Sequence, residues 1–228
     1  MKQQPIKQPM LKPKVLKLKV NNIFLSIQGE GRKTGFPCIF LRLFGCNMRC
    51  IYCDTRYAIE GNDFKSMNIK QVAKEIEKHD IKYICITGGE PLLQTKGIKK
   101  LIGLFPDYLF EINTNGSFPI WREKNLRWVV DYKLPSSGEW SRFLWSNLKE
   151  MREDDDLVFV ICNRKDYLVA RETIKAVKEI SKVTCNFSPC WGEMSKKKLV
   201  KWILEDKLNV RLNLQIHKII WSPTKRGV

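Results

Sequence analysis

With 228 residues, 43% of them hydrophobic, the chain is long enough to bury one sizeable core and too short for a tandem of full-sized domains. The net charge of +17 invites a nucleic-acid partner, but no RNA-reading motif accompanies it, and the lysines are spread as a solvated surface that attracts anionic small molecules; nucleic acid is therefore not the expected partner. No apolar run approaches the ~20 residues needed to cross a bilayer, and no charged-then-apolar leader opens the sequence, so a cytoplasmic protein without a membrane partner is expected.

In chain order, residues 1–20 hold six lysines, three prolines and no acid, which predicts a basic, mobile arm ahead of a single domain at 21–228. Apolar runs predict strands at 39–44, 83–87, 109–113, 128–132, 157–162, 183–187 and 210–216. Between them, Ile69, Val72 and Ile76 share one helical face, Ile98, Leu101 and Ile102 another, and Ile174, Val177 and Ile180 a third. This alternation predicts an α/β fold, a mainly parallel sheet with helices outside it. Sites in such folds lie at the C-terminal strand ends, and Cys46, Gly88 and Asn115 each follow a predicted strand.

The most informative segment is Cys46-Asn47-Met48-Arg49-Cys50-Ile51-Tyr52-Cys53, whose C-x3-C-x2-C spacing supplies three thiolates to one small site and withholds a fourth. Structural zinc and ordinary ferredoxin clusters take four ligands, whereas a [4Fe-4S] cluster held by three thiolates leaves one iron open. Spacing alone also admits a zinc site completed from elsewhere, or buried hydrophobes. The remaining cysteines, Cys38, Cys85, Cys162, Cys185 and Cys190, sit in or beside apolar stretches and read as core. A thiolate site requires reduced cysteines and hence a reducing compartment.

Three further motifs decide the reading. Gly45-Cys46-Asn47-Met48-Arg49-Cys50-Ile51-Tyr52-Cys53-Asp54 resembles the signature of the radical S-adenosylmethionine superfamily, and Thr87-Gly88-Gly89-Glu90-Pro91 after a strand resembles its Gly-Gly-Glu motif. Two glycines there suit close approach of backbone to a ligand. Upstream, Ser26-Ile27-Gln28-Gly29-Glu30-Gly31 and Gly35-Phe36-Pro37, with Leu214-Gln215-Ile216-His217-Lys218 and Lys225-Arg226-Gly227-Val228 at the other end, resemble the 7-carboxy-7-deazaguanine synthase family over residues 22–228. One departure is Asp131-Tyr132-Lys133, where many relatives carry Ser-Pro-Lys.

The resemblance implies a partial (β/α) barrel of the radical S-adenosylmethionine type, abbreviated relative to a full TIM barrel. It further implies a cluster on Cys46, Cys50 and Cys53, and S-adenosylmethionine contacts from Gly89, Asp131, Tyr132 and Lys133. Tyr52 is placed by it near the adenine, against the alternative of an aromatic packed on the barrel rim. Cleavage of the cofactor yields a 5′-deoxyadenosyl radical, and the implied reaction is ring contraction of 6-carboxy-5,6,7,8-tetrahydropterin to 7-carboxy-7-deazaguanine with loss of ammonia. The implied substrate contacts are Ile27, Gln28, Gly29, Glu30, Arg42 and Thr87. Gln28 and Glu30 offer acceptors to a guanidine-like edge, and the planar fork of Arg42 matches a carboxylate. On its strand Arg42 lies opposite Leu41 and Leu43, which points it into the barrel or to solvent.

By the same resemblance Thr55 ligates a magnesium ion that holds the substrate carboxylate; as a bare residue after Cys-Asp it reads as a turn or cap. Asp54 reads as a local cap; His217 can line the mouth of the site, but a lone strand histidine is more often structural and it is left out of the catalytic set. A flavodoxin- or ferredoxin-like reductant and a homodimer complete the expectations. The rival functions are an activase of a glycyl-radical partner, which is not expected to carry Ser26-Ile27-Gln28-Gly29-Glu30-Gly31, and a non-enzymatic zinc or iron-sulfur module that binds RNA.

Overall fold

The computed structural model describes residues 15–228. Nine strands form one sheet: β1 (Lys17–Ile27), β2 (Pro37–Leu43), β3 (Lys65–Asn68), β4 (Tyr83–Gly88), β5 (Leu109–Thr114), β6 (Leu126–Asp131), β7 (Asp156–Ile161), β8 (Thr184–Pro189) and β9 (Arg211–Leu212). Their order is β3-β1-β2-β4-β5-β6-β7-β8-β9, so the sheet does not close on itself. From β2 to β9 every pairing is parallel, while β1 runs antiparallel to both of its neighbours. The result is an abbreviated barrel with one antiparallel hairpin added at its edge.

Parallel neighbours need crossovers, and these are α1 (Ile69–Ile76), α2 (Thr95–Ile102), α3 (Asn147–Glu150), α4 (Arg164–Ile180) and α5 (Lys196–Glu205), with α6 (Ile216–Ile220) after the last strand. Between β5 and β6 no helix intervenes. Local signals start the helices. The Asn68 side chain accepts from the Gln71 amide while the Gln71 side chain accepts from the Asn68 amide, a reciprocal cap that opens α1. Asn163 caps α4 by accepting from Asp166 N. Ile69, Val72 and Ile76 of α1, with Ile98 and Leu101 of α2, are buried against outward-facing residues of the strands, such as Leu41, Ile84 and Ile86. Each such side chain contributes roughly 1.5–3 kcal/mol of burial, so a charge at Ile76 or Ile84 would unseat its layer.

Alternation along the strands divides core from interior. On β7, Leu157, Phe159 and Ile161 face the helices in the core, and Val158 and Val160 face the barrel interior. Lower in the barrel that interior is polar. Gln28 Nε2 donates to Glu111 Oε1 at 2.7 Å, Arg127 lies 3.9 Å from Glu111 and from Asp156, and Arg211 pairs with Asp156 at 2.8 Å. The gap left by the open sheet is spanned by the segment after β1: Gly31 N donates to Asn213 Oδ1, Arg32 N to Asp156 Oδ2, and Ile216 N to Gly29 O.

Three sequence expectations change. The basic arm was expected to reach residue 20; residues 1–14 lie outside the described residues, but Lys17 to Val20 open β1, because Leu18 and Val20 alternate inward and are buried between lysines that face out. The strand expected at 210–216 pairs only over Arg211–Leu212, and Ile216 begins α6 instead, so His217 is helical. Ile180 ends α4 and is exposed, although Ile174 and Val177 on its face are buried.

Candidate active site

The strand ends and the loops beyond them enclose a cavity of about 660 Å³, within the ~300–1,000 Å³ range of small-molecule sites. Cys46, Cys50 and Cys53, in the loop after β2, all line it. The loop is held by the neighbouring chain. Gly45 N donates to Ala58 O, Ile51 N to Ser137 O, and Arg49 N to Glu139 Oε1 at 2.6 Å. Cys46 Sγ accepts from Met48 N at 3.4 Å and lies 3.9 Å from Asn115 Nδ2. Burial pushes the Cys46 thiol up and Cys50 to about 11, so metal must displace a proton from each.

The Gly-Gly-Glu stretch meets this loop, and its glycines have a packing role besides the expected approach to a ligand. Gly88 has φ +133°, and a Cβ on it would stand 2.0 Å from Leu43 O; one on Gly89 would stand 2.1 Å from Gly45 O and 3.1 Å from Cys46 Cβ. They are required because backbone packs on backbone, with Gly89 N donating to Leu43 O and Glu90 N to Gly45 O. Glu90 is wholly buried and accepts from Thr114 Oγ1, Asn115 N and Leu92 N, tying the end of β4 to the end of β5. Gly89 still lines the cavity beside the cysteines.

Asp131 and Lys133 also line the cavity, and the Lys133 ammonium pairs with Asp131 Oδ2 at 2.5 Å and lies 5.8 Å from the Tyr52 ring centre. Tyr132 does not take part as expected. It points to the other side of the strand end and packs at 5.0 Å on Phe143 and 5.3 Å on Phe159, because alternation sends every second residue to the core. Tyr52 lines the cavity with a buried hydroxyl that has no partner, and Asn113 Oδ1 and Asp131 Oδ1 are likewise buried and unpartnered.

The opposite wall gathers the remaining expected residues. Arg42 faces the cavity rather than the core, in register with Thr87, and its guanidinium lies 5.8 Å from the ring centres of Phe24 and Tyr57. Glu30 Oε1 accepts from Gln215 Nε2 at 2.7 Å, and Oε2 from Asn213 Nδ2 at 3.3 Å. Ile27 and Gly29 line the same wall. Gln28 reaches the cavity too, but its amide is committed: Nε2 donates to Glu111 and Tyr83, and Oε1 accepts from Glu30 N. Its side chain braces Glu30 from below rather than offering a free edge.

Thr55 precedes a short 3-10 turn without capping it by its side chain, and its hydroxyl stands 3.7 Å from Cys53 Sγ at the cavity. Asp54 is not a local cap. Its Oδ2 accepts from Lys218 Nζ at 2.6 Å, and although burial pushes the carboxyl up, Lys218, Arg42 and His217 outweigh that and hold it below the usual carboxylate range.

Several site residues escaped the sequence reading. His217 packs so closely on Gly29 that a Cβ there would stand 2.0 Å from its Nδ1, and burial lowers its pKa. Of its two sequence readings, the mouth of the site is the one the cavity lining matches, and what the sequence did not signal is its contact with Gly29. Cys190, read as core, lines the cavity, and its neighbour Cys162 is half-buried rather than core.

The donor set fits a multinuclear cluster. Cys46, Cys50 and Cys53 come from one loop and line one cavity, which suits a cluster that would take one thiolate at each of three irons. The unpartnered polar atoms of Tyr52, Asn113 and Asp131 beside the thiols suit a polar organic cofactor.

Comparison with known proteins agrees with this geometry. Residues 42–136 match the Radical SAM superfamily. The 7-carboxy-7-deazaguanine synthase of Clostridium acetobutylicum is 38% identical over 92% of this chain and 99% of its own, that of Koribacter versatilis 36% over 92% and 100%, and that of Chlorobaculum tepidum 37% over 92% and 97%. The crystal structure of QueE from Escherichia coli superposes with a TM-score of 0.74 at 20% identity, covering 88% of this chain and 94% of that one, and shares the fold.

Proposed function

The chain belongs to the 7-carboxy-7-deazaguanine synthase family of radical S-adenosylmethionine enzymes, and on that premise we propose how its two cavity walls divide the work. It is a lyase that uses a [4Fe-4S] cluster, S-adenosylmethionine and magnesium to make 7-carboxy-7-deazaguanine. When bound, the cluster and S-adenosylmethionine supply homolytic cleavage of a sulfonium carbon–sulfur bond and hydrogen-atom abstraction. Everything else is positioning.

In this reading Cys46, Cys50 and Cys53 hold the cluster, the Gly89 backbone meets the methionine end of the cofactor, and Asp131 and Lys133 present a fixed ion pair to its polar groups. The Tyr52 ring and hydroxyl bound the same pocket. The substrate is 6-carboxy-5,6,7,8-tetrahydropterin. Glu30, held by Gln215 and Asn213, accepts from its guanidine-like edge, Gln28 steadies Glu30, and Ile27, Gly29 and Thr87 form the surface on which the ring lies. The Arg42 guanidinium faces the carboxylate, and Thr55 supplies one hard oxygen to a magnesium that keeps most of its waters.

One observation carries this assignment: residues separated by up to 185 positions in sequence converge so that three thiols, one arginine and one braced carboxylate face a single cavity. An electron carrier of the flavodoxin or ferredoxin kind, a homodimer, and a cytoplasmic setting that keeps the thiols reduced belong to the same proposal; among the described residues no helix is long and apolar enough to cross a membrane. Anaerobically reconstituted protein, reduced and given the carboxytetrahydropterin, is expected to release 7-carboxy-7-deazaguanine by mass spectrometry. Cleavage of S-adenosylmethionine without that product would overturn the substrate assignment.

A further inference from the structure

Two cysteines outside the cluster loop stand side by side at the ends of β7 and β8, and Cys190 lines the cavity. On β7 the inward series Val158, Val160 continues to Cys162, and on β8 the series Asn186, Ser188 continues to Cys190. The last registered pair of these parallel strands is Ile161 with Pro189, and Cys190 N donates to Ile161 O at 2.9 Å, so the two cysteines are the next pair across. Neighbouring strands run ~4.8 Å apart, within the ~4.4–6.8 Å Cα spacing that a disulfide bridges. Both residues lie just beyond the ladder, at the C-terminal ends of their strands.

We propose that Cys190 and Cys162 form a peroxide-reactive dithiol, in which Cys190 is the attacking sulfur, Cys162 the resolving one, and the product a reversible disulfide tethering β7 to β8 at the cavity wall. The Cys190 thiolate attacks one oxygen of hydrogen peroxide; the O–O bond breaks, hydroxide leaves, and a sulfenic acid remains. The Cys162 sulfur then attacks that sulfur, its proton leaves with the departing hydroxyl as water, and the S–S bond forms. Two thiols are oxidised by two electrons in all, and the peroxide is reduced to two waters.

The order of attack follows from the surroundings. Cys190 lines the cavity through which peroxide would arrive, and in support its thiol lies below the usual range beside Cys162 and the Lys218 ammonium, while Cys190 and burial hold Cys162 above it. Access separates this pair from the other thiol pair of the fold. Cys38 and Cys85 also pack together, but both are wholly buried and neither lines the cavity. Cys190 lines the cavity, and Cys162 is half-buried.

The cluster-loaded protein, treated anaerobically with hydrogen peroxide, alkylated and digested with trypsin, tests this. The expected product joins the fragments 153–164 and 183–196, with fragmentation placing the bond on Cys190 rather than Cys185, and thiol reductant reverses it. In Cys162→Ser, dimedone should trap a sulfenic acid on Cys190, and in Cys190→Ser it should trap none on Cys162. Absence of the joined fragments, dimedone labelling of Cys162 in place of Cys190, or oxidation of Cys38 and Cys85 as fast as this pair would each overturn the proposal.

Discussion

The two walls of the cavity are built differently. Where the cysteine loop meets β4, main chain packs on main chain: Gly89 N to Leu43 O, Glu90 N to Gly45 O, Gly45 N to Ala58 O. Across the cavity the wall is a mesh of side chains, with Gln215 and Asn213 on Glu30 and Lys218 on Asp54. A main-chain wall leaves no room for a changed side chain, whereas a side-chain wall can be altered one contact at a time. In the proposed reading, cofactor cleavage sits on the rigid side and recognition of the reacting molecule on the adjustable one.

The largest effect should come from the rigid side. Replacing Cys46, Cys50 or Cys53 by Ala is expected to abolish iron retention and turnover while the circular dichroism of the fold persists, since the loop carries the thiols and the core lies elsewhere. Normal iron content in any of the three would undo the cluster assignment. Gly89→Ala should follow: its Cβ would meet Gly45 O at 2.1 Å, which forces the loop away. Overpacking of this kind costs about 1–3 kcal/mol, readable as a lower urea midpoint with reduced iron loading. An unchanged midpoint would mean that the loop yields and that the two walls are not so different.

On the adjustable side, Arg42→Ala and Glu30→Gln should weaken substrate binding by about a hundredfold, the scale of a lost buried charged hydrogen bond, while cleavage of S-adenosylmethionine in the absence of substrate survives. Equal loss of both would show that Arg42 and Glu30 support the rigid wall. Thr55→Ala should raise the magnesium needed for half-maximal turnover and leave the cluster intact; magnesium dependence identical to that of the parent would return Thr55 to the role of a turn residue.

The smallest effect concerns the polar floor beneath both walls. Burial pushes Glu111 to about 7, and the Arg127 guanidinium pulls it down without cancelling the rise. A carboxyl raised above its unfolded value of ~4.3 adds stability that is complete below that value and is lost as pH rises through the folded one. The denaturation midpoint should therefore fall between pH 5 and 7, and Glu111→Gln should flatten that fall. Parallel profiles for the two proteins would show that Glu111 ionises without penalty.

Elements that carry their own periodicity were legible in the sequence. The parallel strands from 39 to 187 and the α1, α2 and α4 faces follow from apolar runs, because burial on both faces or on one helical stripe leaves a local pattern. β1 was missed altogether: the lysines flanking Leu18 and Val20 read as a solvated arm, although in a strand they alternate outward. The cysteine loop was legible because ligand spacing is local. Side chains whose role depends on a distant partner were not: Gln28 committed to Glu111, Asp54 to Lys218, and His217 on Gly29 all rest on contacts between residues at least 83 positions apart. Tyr132 was misplaced because a motif names three consecutive residues, whereas a strand end turns the middle one away.

The separation between Glu30 and Gln215 is 185 positions and that between Asp54 and Lys218 is 164. Contacts of such range form late, since the intervening chain must first be ordered. During synthesis Gly88-Gly89 and the Glu90 brace are complete once residue 115 has been made, and the supports of the cysteine loop follow with Ser137 and Glu139, still 76 residues before Gln215 exists. We infer an order of assembly in which the iron-binding side matures first and the recognition side is latched shut by the last segment of chain. Pulse-labelling hydrogen exchange during refolding should show protection at Gly45, Gly89 and Glu90 before protection at Ile216, and simultaneous protection would show that the two sides form as one unit.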